Sequence, residues 1–319
     1  KKTTGMLIQK PYIGVIGEGG YKWYNAASMD NNGVEATLTW RDEIKDFKYD
    51  ISFNLSYYKN KITELPDVIK YTWGGGNGVD KTIVGQPFGS WMSYKADGIF
   101  KTKQEVYEYL SKYDVQIGAP GVGRIRYKDL NGDSKVDEND VDIIGNGFPK
   151  VNFGLNLNAT YKNWDFSIYT YGVLGQKILS YSAMRLSTMK AADDPSVPNI
   201  LKSAYNESFS VNPNGSLPRL SILDDKSSNC RVSDFWVKNG DFLKINNIQI
   251  GYTFPREWLA PLKITSARAF MSISNLACIS GYNKYGDPEC GQGSLLYTGL
   301  DTGRYPTPRT YSLGVSVQF

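Results

Sequence analysis

Over several stretches of this chain, apolar and polar residues alternate one for one. Residues 309–319 place Tyr311, Leu313, Val315, Val317 and Phe319 against Thr310, Ser312, Gly314, Ser316 and Gln318. Successive side chains of a strand point to opposite faces, so this segment has one oily wall and one wet wall. The pattern recurs upstream. Val34, Ala36, Leu38 and Trp40 oppose Glu35, Thr37, Thr39 and Arg41. After a charged turn, Tyr49, Ile51, Phe53, Leu55 and Tyr57 oppose Asp50, Ser52, Asn54 and Ser56, which predicts an antiparallel hairpin. Val151, Phe153, Leu155, Leu157, Ala159 and Tyr161 alternate with Asn152, Gly154, Asn156, Asn158 and Thr160. A turn over 162–164 leads into a return strand that ends near Leu174. Residues 242–254 and 267–276 read as two further strands, and 5–9 as the tail of another. Leu243 and Ile245 fall out of phase with Ile248, Ile250, Tyr252 and Phe254. That predicts a bulge, or a strand that leaves the lipid at its upper end.

The alternation thus predicts about eight strands, each near the ten residues that a tilted strand needs to cross a bilayer. The connections between them are short and long by turns. The long ones, at about 60–149, 175–240 and 280–305, all fall on one side of the sheet. Tight turns on one side and large loops on the other are the asymmetry of an outer-membrane barrel. Trp40, Phe47, Tyr161, Trp164, Phe254, Trp258 and Phe319 gather on the short-turn side and read as an interfacial girdle. The expected fold is all-β: a transmembrane antiparallel β-barrel with long extracellular loops. Phe153, Leu155, Leu157, Leu313, Val315 and Val317 are expected to face lipid; Asn152, Asn156, Asn158, Ser312 and Ser316 are expected to face the interior. The competing reading is a soluble sandwich of alternating strands.

Composition narrows this further. Only 41% of the 319 residues are hydrophobic and no run of about 18 apolar residues occurs, which excludes a helical membrane protein but not a barrel. There is no histidine, so His-based triads and most zinc sites are excluded. Glu35 and Asp50 point inward on neighbouring strands, yet luminal charge is common in aqueous channels, and no enzyme is expected. The net charge of +4 carries no basic stripe, so nucleic acid is not an expected partner. Of Cys230, Cys278 and Cys290, the last two lie close enough in sequence to pair across a loop, or to remain free and buried. The opening K-K-T-T-G-M has neither initiator Met nor signal peptide, as in a mature product or a fragment.

The first long loop holds a helical stretch over 102–112, with Val106, Tyr109 and Leu110 on its apolar face. Beyond it lies D-L-N-G-D-S-K-V-D-E-N-D, residues 129–140. Asp129, Asn131, Asp133 and Asp140 place oxygens at calcium-loop spacing, and Lys135 stands where a backbone carbonyl would ligate. Ser134 replaces the usual glycine, and Asp140 is shorter than the usual Glu. A structural Ca²⁺ site is expected; magnesium, or a run of solvated Asx turns, are the alternatives. Tyr71, Trp73, Trp91 and Tyr94 are candidates to stack on sugar rings or peptide side chains, or to pack the loop onto itself.

Several stretches carry a resemblance. They are N-N-G-V-E-A at 31–36, G-Q-P-F-G-S-W-M-S-Y-K-A-D-G-I-F at 85–100, and R-Y-K-D-L-N-G-D at 126–133. N-G-D-F-L-K-I-N-N-I-Q-I-G-Y-T-F-P at 239–255, S-N-L at 274–276, G-D-P-E at 286–289 and Y-P-T-P-R-T-Y-S-L-G-V-S-V-Q-F at 305–319 follow. In this order the chain resembles the carboxyl-terminal barrel portion of SusC/RagA-type TonB-dependent outer-membrane transporters. The resemblance implies a 22-stranded barrel, of which these strands are one arc, closed inside by an amino-terminal plug and capped by a SusD-like lipoprotein lid. The plug, through which the TonB complex acts, and the remaining strands lie outside the matched part. The implied function is import of oligosaccharide or peptide across the outer membrane of a Gram-negative bacterium. A surface-exposed binding or adhesion protein anchored by its barrel is the alternative.

Overall fold

The computed structural model describes residues 1–11, 21–65, 84–188, 202–221, 229, 231–291 and 298–319. Eight strands form its main sheet: β1 (Lys2–Pro11), β2 (Tyr21–Ile44), β3 (Phe47–Glu64), β4 (Val151–Tyr161), β5 (Trp164–Leu174), β6 (Phe242–Thr253), β7 (Ser266–Ser280) and β8 (Thr310–Gln318). Each pairs antiparallel with its neighbour in sequence, so the chain runs up and down without a crossover. Two of the short connections are two-residue reversals, 45–46 and 162–163. Their first residues, Lys45 and Lys162, take the left-handed backbone at φ 56° and 52° that so sharp a reversal requires.

The register makes the two faces explicit. One row crosses seven strands through Trp40, Ile51, Leu157, Ile168, Ile248, Ile273 and Tyr311. The adjoining row, one residue along, is Arg41, Asp50, Asn158, Ser167, Gln249, Ser272 and Ser312. A slip of one residue between any two strands would mix these rows, so the pattern itself specifies the register. The expected bulge is present. Tyr169 faces Asn247 while Thr170 faces Ile245, which leaves Asn246 as the extra residue. That residue returns Leu243 and Ile245 to the apolar face and puts Lys244 on the polar one.

Three strands run further than their alternation. β2 begins at Tyr21 rather than Gly33, β3 continues to Glu64, and β7 to Ser280. These extensions all rise on the long-loop side, where no oily and wet face need be kept apart. Ala27 and Ile62 are buried there, each 2% exposed.

The long connections are not loose. Trp91, Phe100 and Tyr109 from the first, Leu179, Met184 and Trp236 from the second, and Leu300 from the third share one buried core. The helix α1 (Lys103–Lys112) starts at Thr102, whose hydroxyl accepts from Glu105 N–H at 3.2 Å, an N-cap that satisfies a free helix donor. Val106 and Tyr109 pack inward as expected, but Leu110 is 48% exposed and does not belong to the buried face. The Tyr109 hydroxyl donates to the Tyr127 carbonyl at 2.6 Å, which ties α1 to the strand Ile125–Tyr127. A three-stranded sheet joins the other two loops: Lys177–Ser180 lies between Val237–Asn239 and Leu300–Asp301. Gly147 lets the first loop touch the third, because a Cβ there would stand 1.8 Å from the Thr298 carbonyl oxygen.

Candidate functional site: the polar face and the loop clamped to it

On the polar face, Asn, Ser and Thr side chains follow one another across strands. A second polar row, with Tyr169 as its one aromatic, runs Thr39, Ser52, Asn156, Tyr169, Asn247, Ser274 and Thr310. Charges concentrate towards the short turns. Arg41 pairs with Asp50 at 2.5 Å, Lys48 with Glu43 at 3.0 Å, and the Arg268 Nε with Asp165 at 2.9 Å. Arg41 is 79% exposed, so its pair contributes at most about 1 kcal/mol. Gly314 has a specific task on this face. The Phe270 ring lies over it, and a Cβ would meet a ring carbon at 2.3 Å. An aromatic laid across a glycine in the neighbouring strand covers backbone that would otherwise be bare.

The third loop returns to this face and is fastened there. Tyr171 of β5 and Lys244 of β6 are direct cross-strand partners. The Tyr171 hydroxyl donates to one carboxylate oxygen of Glu289, and the Lys244 ammonium pairs with the other. Lys244 is only 5% exposed, so Glu289 supplies the counter-charge that a buried ammonium needs. The segment carrying Glu289 is itself braced by Asp287. That carboxylate accepts from Glu289 N–H at 3.0 Å, from Thr307 N–H at 3.2 Å and from the Thr307 hydroxyl at 3.1 Å. Burial alone would raise Asp287, but these hydrogen bonds outweigh it and hold the carboxyl below its ordinary range. Deeper in the cap that the packed long loops form, the Tyr282 hydroxyl meets Ser180 Oγ at 2.5 Å and donates to Asp301. Burial and the Asp301 carboxylate push that phenol far upward, so it stays protonated.

These groups are braces. Cys290, the soft nucleophile beside them, has its thiol pushed up to about 12 by burial, chiefly, and is inert at neutral pH. Cys278 and Cys290 are both free, so the alternative of a disulfide between them is not realised. Cys230 lies outside the described residues. Sequence reasoning did not single out Tyr171, Lys244 or Glu289. A lysine set between Leu243 and Ile245 in a strand was the available signal, but its partner lies 45 residues away.

The acidic loop is folded largely by its own oxygens. Asp129 accepts from Gly132 N–H at 2.7 Å and Ser134 N–H at 3.0 Å. Asn131 accepts from Asp133 N–H at 3.0 Å, and Asp133 from Lys135 N–H at 2.8 Å. Asp140, fully buried, accepts from Leu130 N–H at 2.7 Å and Asp137 N–H at 2.9 Å. Ser134 makes the turn in place of glycine at φ 65°. Among the described residues no three His, Cys, Asp or Glu side chains are disposed to hold a metal ion. The donor set has the right chemistry for calcium, but in this arrangement its oxygens are engaged by backbone amides.

Of the candidate stacking residues, Trp91 requires a correction. It is 1% exposed in the loop core, so its indole packs the cap and offers no face to a ligand. Tyr94 is half-buried against that core, with its ring 6.0 Å from Tyr127 and the Arg231 guanidinium 4.9 Å above it. Tyr71 and Trp73 lie outside the described residues.

No family model matches the chain. It is 27% identical over 336 residues to TonB-dependent receptor P3 of Formosa agariphila, covering 100% of this chain and 31% of that protein. It is 27% identical over 300 residues to TonB-dependent receptor SusC of Bacteroides thetaiotaomicron, covering 92% and 27%. Its fold matches a solved structure of the RagAB peptide transporter with a TM-score of 0.74, at 20% identity, over 100% of this chain and 32% of that one. These proteins are named as receptors and transporters, not as enzymes. The chain spans about a third of the length of the curated relatives it matches.

Proposed function

We propose, from the premise that the chain belongs with the SusC/RagA-type TonB-dependent transporters, that its eight strands are one arc of the wall of an outer-membrane nutrient importer. The observation that carries this reading is the pair of adjoining rows, apolar and polar, kept in register across seven strands. A bilayer outside and an aqueous lumen inside demand that arrangement. The outer edges of β1 and β8 have no partner strand among the described residues. Lipid tolerates no open sheet edge, so other strands of the transporter close both. The long loops then face the cell exterior, the first and the third meet a SusD-like lid, and a plug domain elsewhere in the transporter engages the TonB complex. The cargo is oligosaccharide or peptide.

The reading is tested in cells that carry the full-length protein, with and without a working TonB complex. Energy-dependent uptake of a labelled oligosaccharide or peptide supports it. Surface binding of the same label with no uptake in either strain would instead assign the protein to adhesion.

The calcium reading of Asp129, Asn131, Asp133, the Lys135 carbonyl and Asp140 rests on their spacing and on the left-handed Ser134. A bound cation would have to draw several of these oxygens away from the amides they now cap. If it does, Asp133→Ala lowers the protease resistance of the loop only when calcium is present. An equal loss in chelator would leave the aspartates as turn caps.

A further inference from the structure

Two lysines of the cap approach one aromatic ring, and neither has a carboxylate partner among the described residues. Lys238, in the short strand Val237–Asn239, spends one donor on the Phe235 carbonyl at 2.8 Å. Its ammonium lies 5.4 Å from the Phe235 ring centre, 5.6 Å from that of Trp236 and 6.0 Å from that of Tyr285. Lys284, from the third loop, places its ammonium 5.0 Å from the same Tyr285 ring. Both cations therefore converge on one aromatic side chain from different loops. Among the described residues no carboxylate pairs with either. Every other buried or half-buried lysine of the described cap and wall that forms an ion pair does so at its own acid, as Lys95 does with Asp142 and Lys244 with Glu289.

Burial, first, and the neighbouring Lys284 hold the Lys238 ammonium down to about 8. Ring faces offset part of the cost of burying a cation, but two like charges beside one ring still repel. An anion bound by both ammoniums would relieve both penalties at once. Two primary ammoniums match the two oxygens of a carboxylate, one hydrogen bond each, and charge-assisted bonds of this kind are about twice as strong as neutral ones. The Tyr285 ring would lie against the apolar part of the molecule that bears the carboxylate.

We infer that Lys238, Lys284 and Tyr285 form a subsite for a carboxylate on the imported molecule. The subsite rests on the import reading for its biological meaning, but its chemistry is that of binding alone. Two sources supply such a group: the terminus of an oligopeptide and the uronate of an acidic oligosaccharide.

The test uses the full-length protein in detergent and four probes in titration calorimetry. They are tetra-alanine and its carboxyl-terminal amide, and trigalacturonate and its methyl ester. One acid is expected to bind at least ~10-fold more tightly than its neutral counterpart, a factor that corresponds to ~1.4 kcal/mol. Which acid does so assigns the source. Lys284→Gln, at an exposed position, should abolish that preference without unfolding the cap, and Lys238→Arg should retain it. Equal binding of acid and neutral probes would overturn the inference. So would a preference that survives Lys284→Gln, or no binding of either acid up to millimolar concentration. Failure of the import reading would show separately, as carboxylate-selective binding in cells that take nothing up.

Discussion

In the wall, Leu313 is 84% and Val315 71% exposed, whereas in the cap Trp91 and Trp236 are each 1% exposed. The two regions share one chain but bury opposite surfaces. The cap follows the rule of proteins in water: aromatic and aliphatic groups from three loops leave solvent together. The wall turns large apolar side chains outward, and a row of them seven strands wide would aggregate in water. What differs is the solvent. The wall is built for a bilayer on one side and water on the other, so its strands need period two; the cap needs only enough interior.

This comparison can be broken region by region. The largest effect is expected from Trp236→Ala, which empties the middle of the cap and should destabilise it by about 3–5 kcal/mol. Limited proteolysis would then cut within 84–150 and 231–241 while leaving the strands protected. Loss of the barrel band as well would mean that the two regions fold as one unit. Next comes Leu155→Arg, which should cost about 2–4 kcal/mol at mid-membrane, whereas Asn156→Arg should cost well under about 1 kcal/mol. Refolding titrations into vesicles would show the difference, and equal costs would deny that the two faces meet different media. Glu289→Gln should be milder, about 1–3 kcal/mol, because Glu289 is 30% exposed and water partly replaces it, while Lys244 loses its paired charge. Its signature is local: faster hydrogen exchange in residues 286–291 and at Lys244, with the wall unchanged. Uniform exchange across both regions would remove the clamp.

The same difference explains what the sequence disclosed. Alternation made the wall readable down to β4, Val151–Tyr161, and the phase slip of Leu243 and Ile245 signalled a bulge or a departing strand, of which the structure shows the bulge, at Asn246. Where strands rise above the membrane level the constraint lapses, so residues 21–32 of β2 carried no signal. The cap was less legible for a related reason. Its strands are as short as Lys135–Val136 and Leu300–Asp301, and its core joins residues more than 100 positions apart, such as Trp91 and Trp236. No local period marks such a site. Hence the sequence left Trp91 open between stacking on a ligand and packing the loop, where the structure buries it in the cap core, and Lys244 gave no hint of Glu289.

The central claim is that the eight-stranded sheet separates lipid from an aqueous interior. It is tested most directly by placing a spin-labelled cysteine at each position of 151–161 in the full-length protein in bilayers. Collision with oxygen and with a water-soluble nickel chelate is then measured at each site. The account predicts oxygen maxima at Phe153, Leu155, Leu157 and Ala159, and nickel maxima at Asn152, Asn156 and Asn158. Two profiles that rise and fall together, or show no period of two, would contradict it.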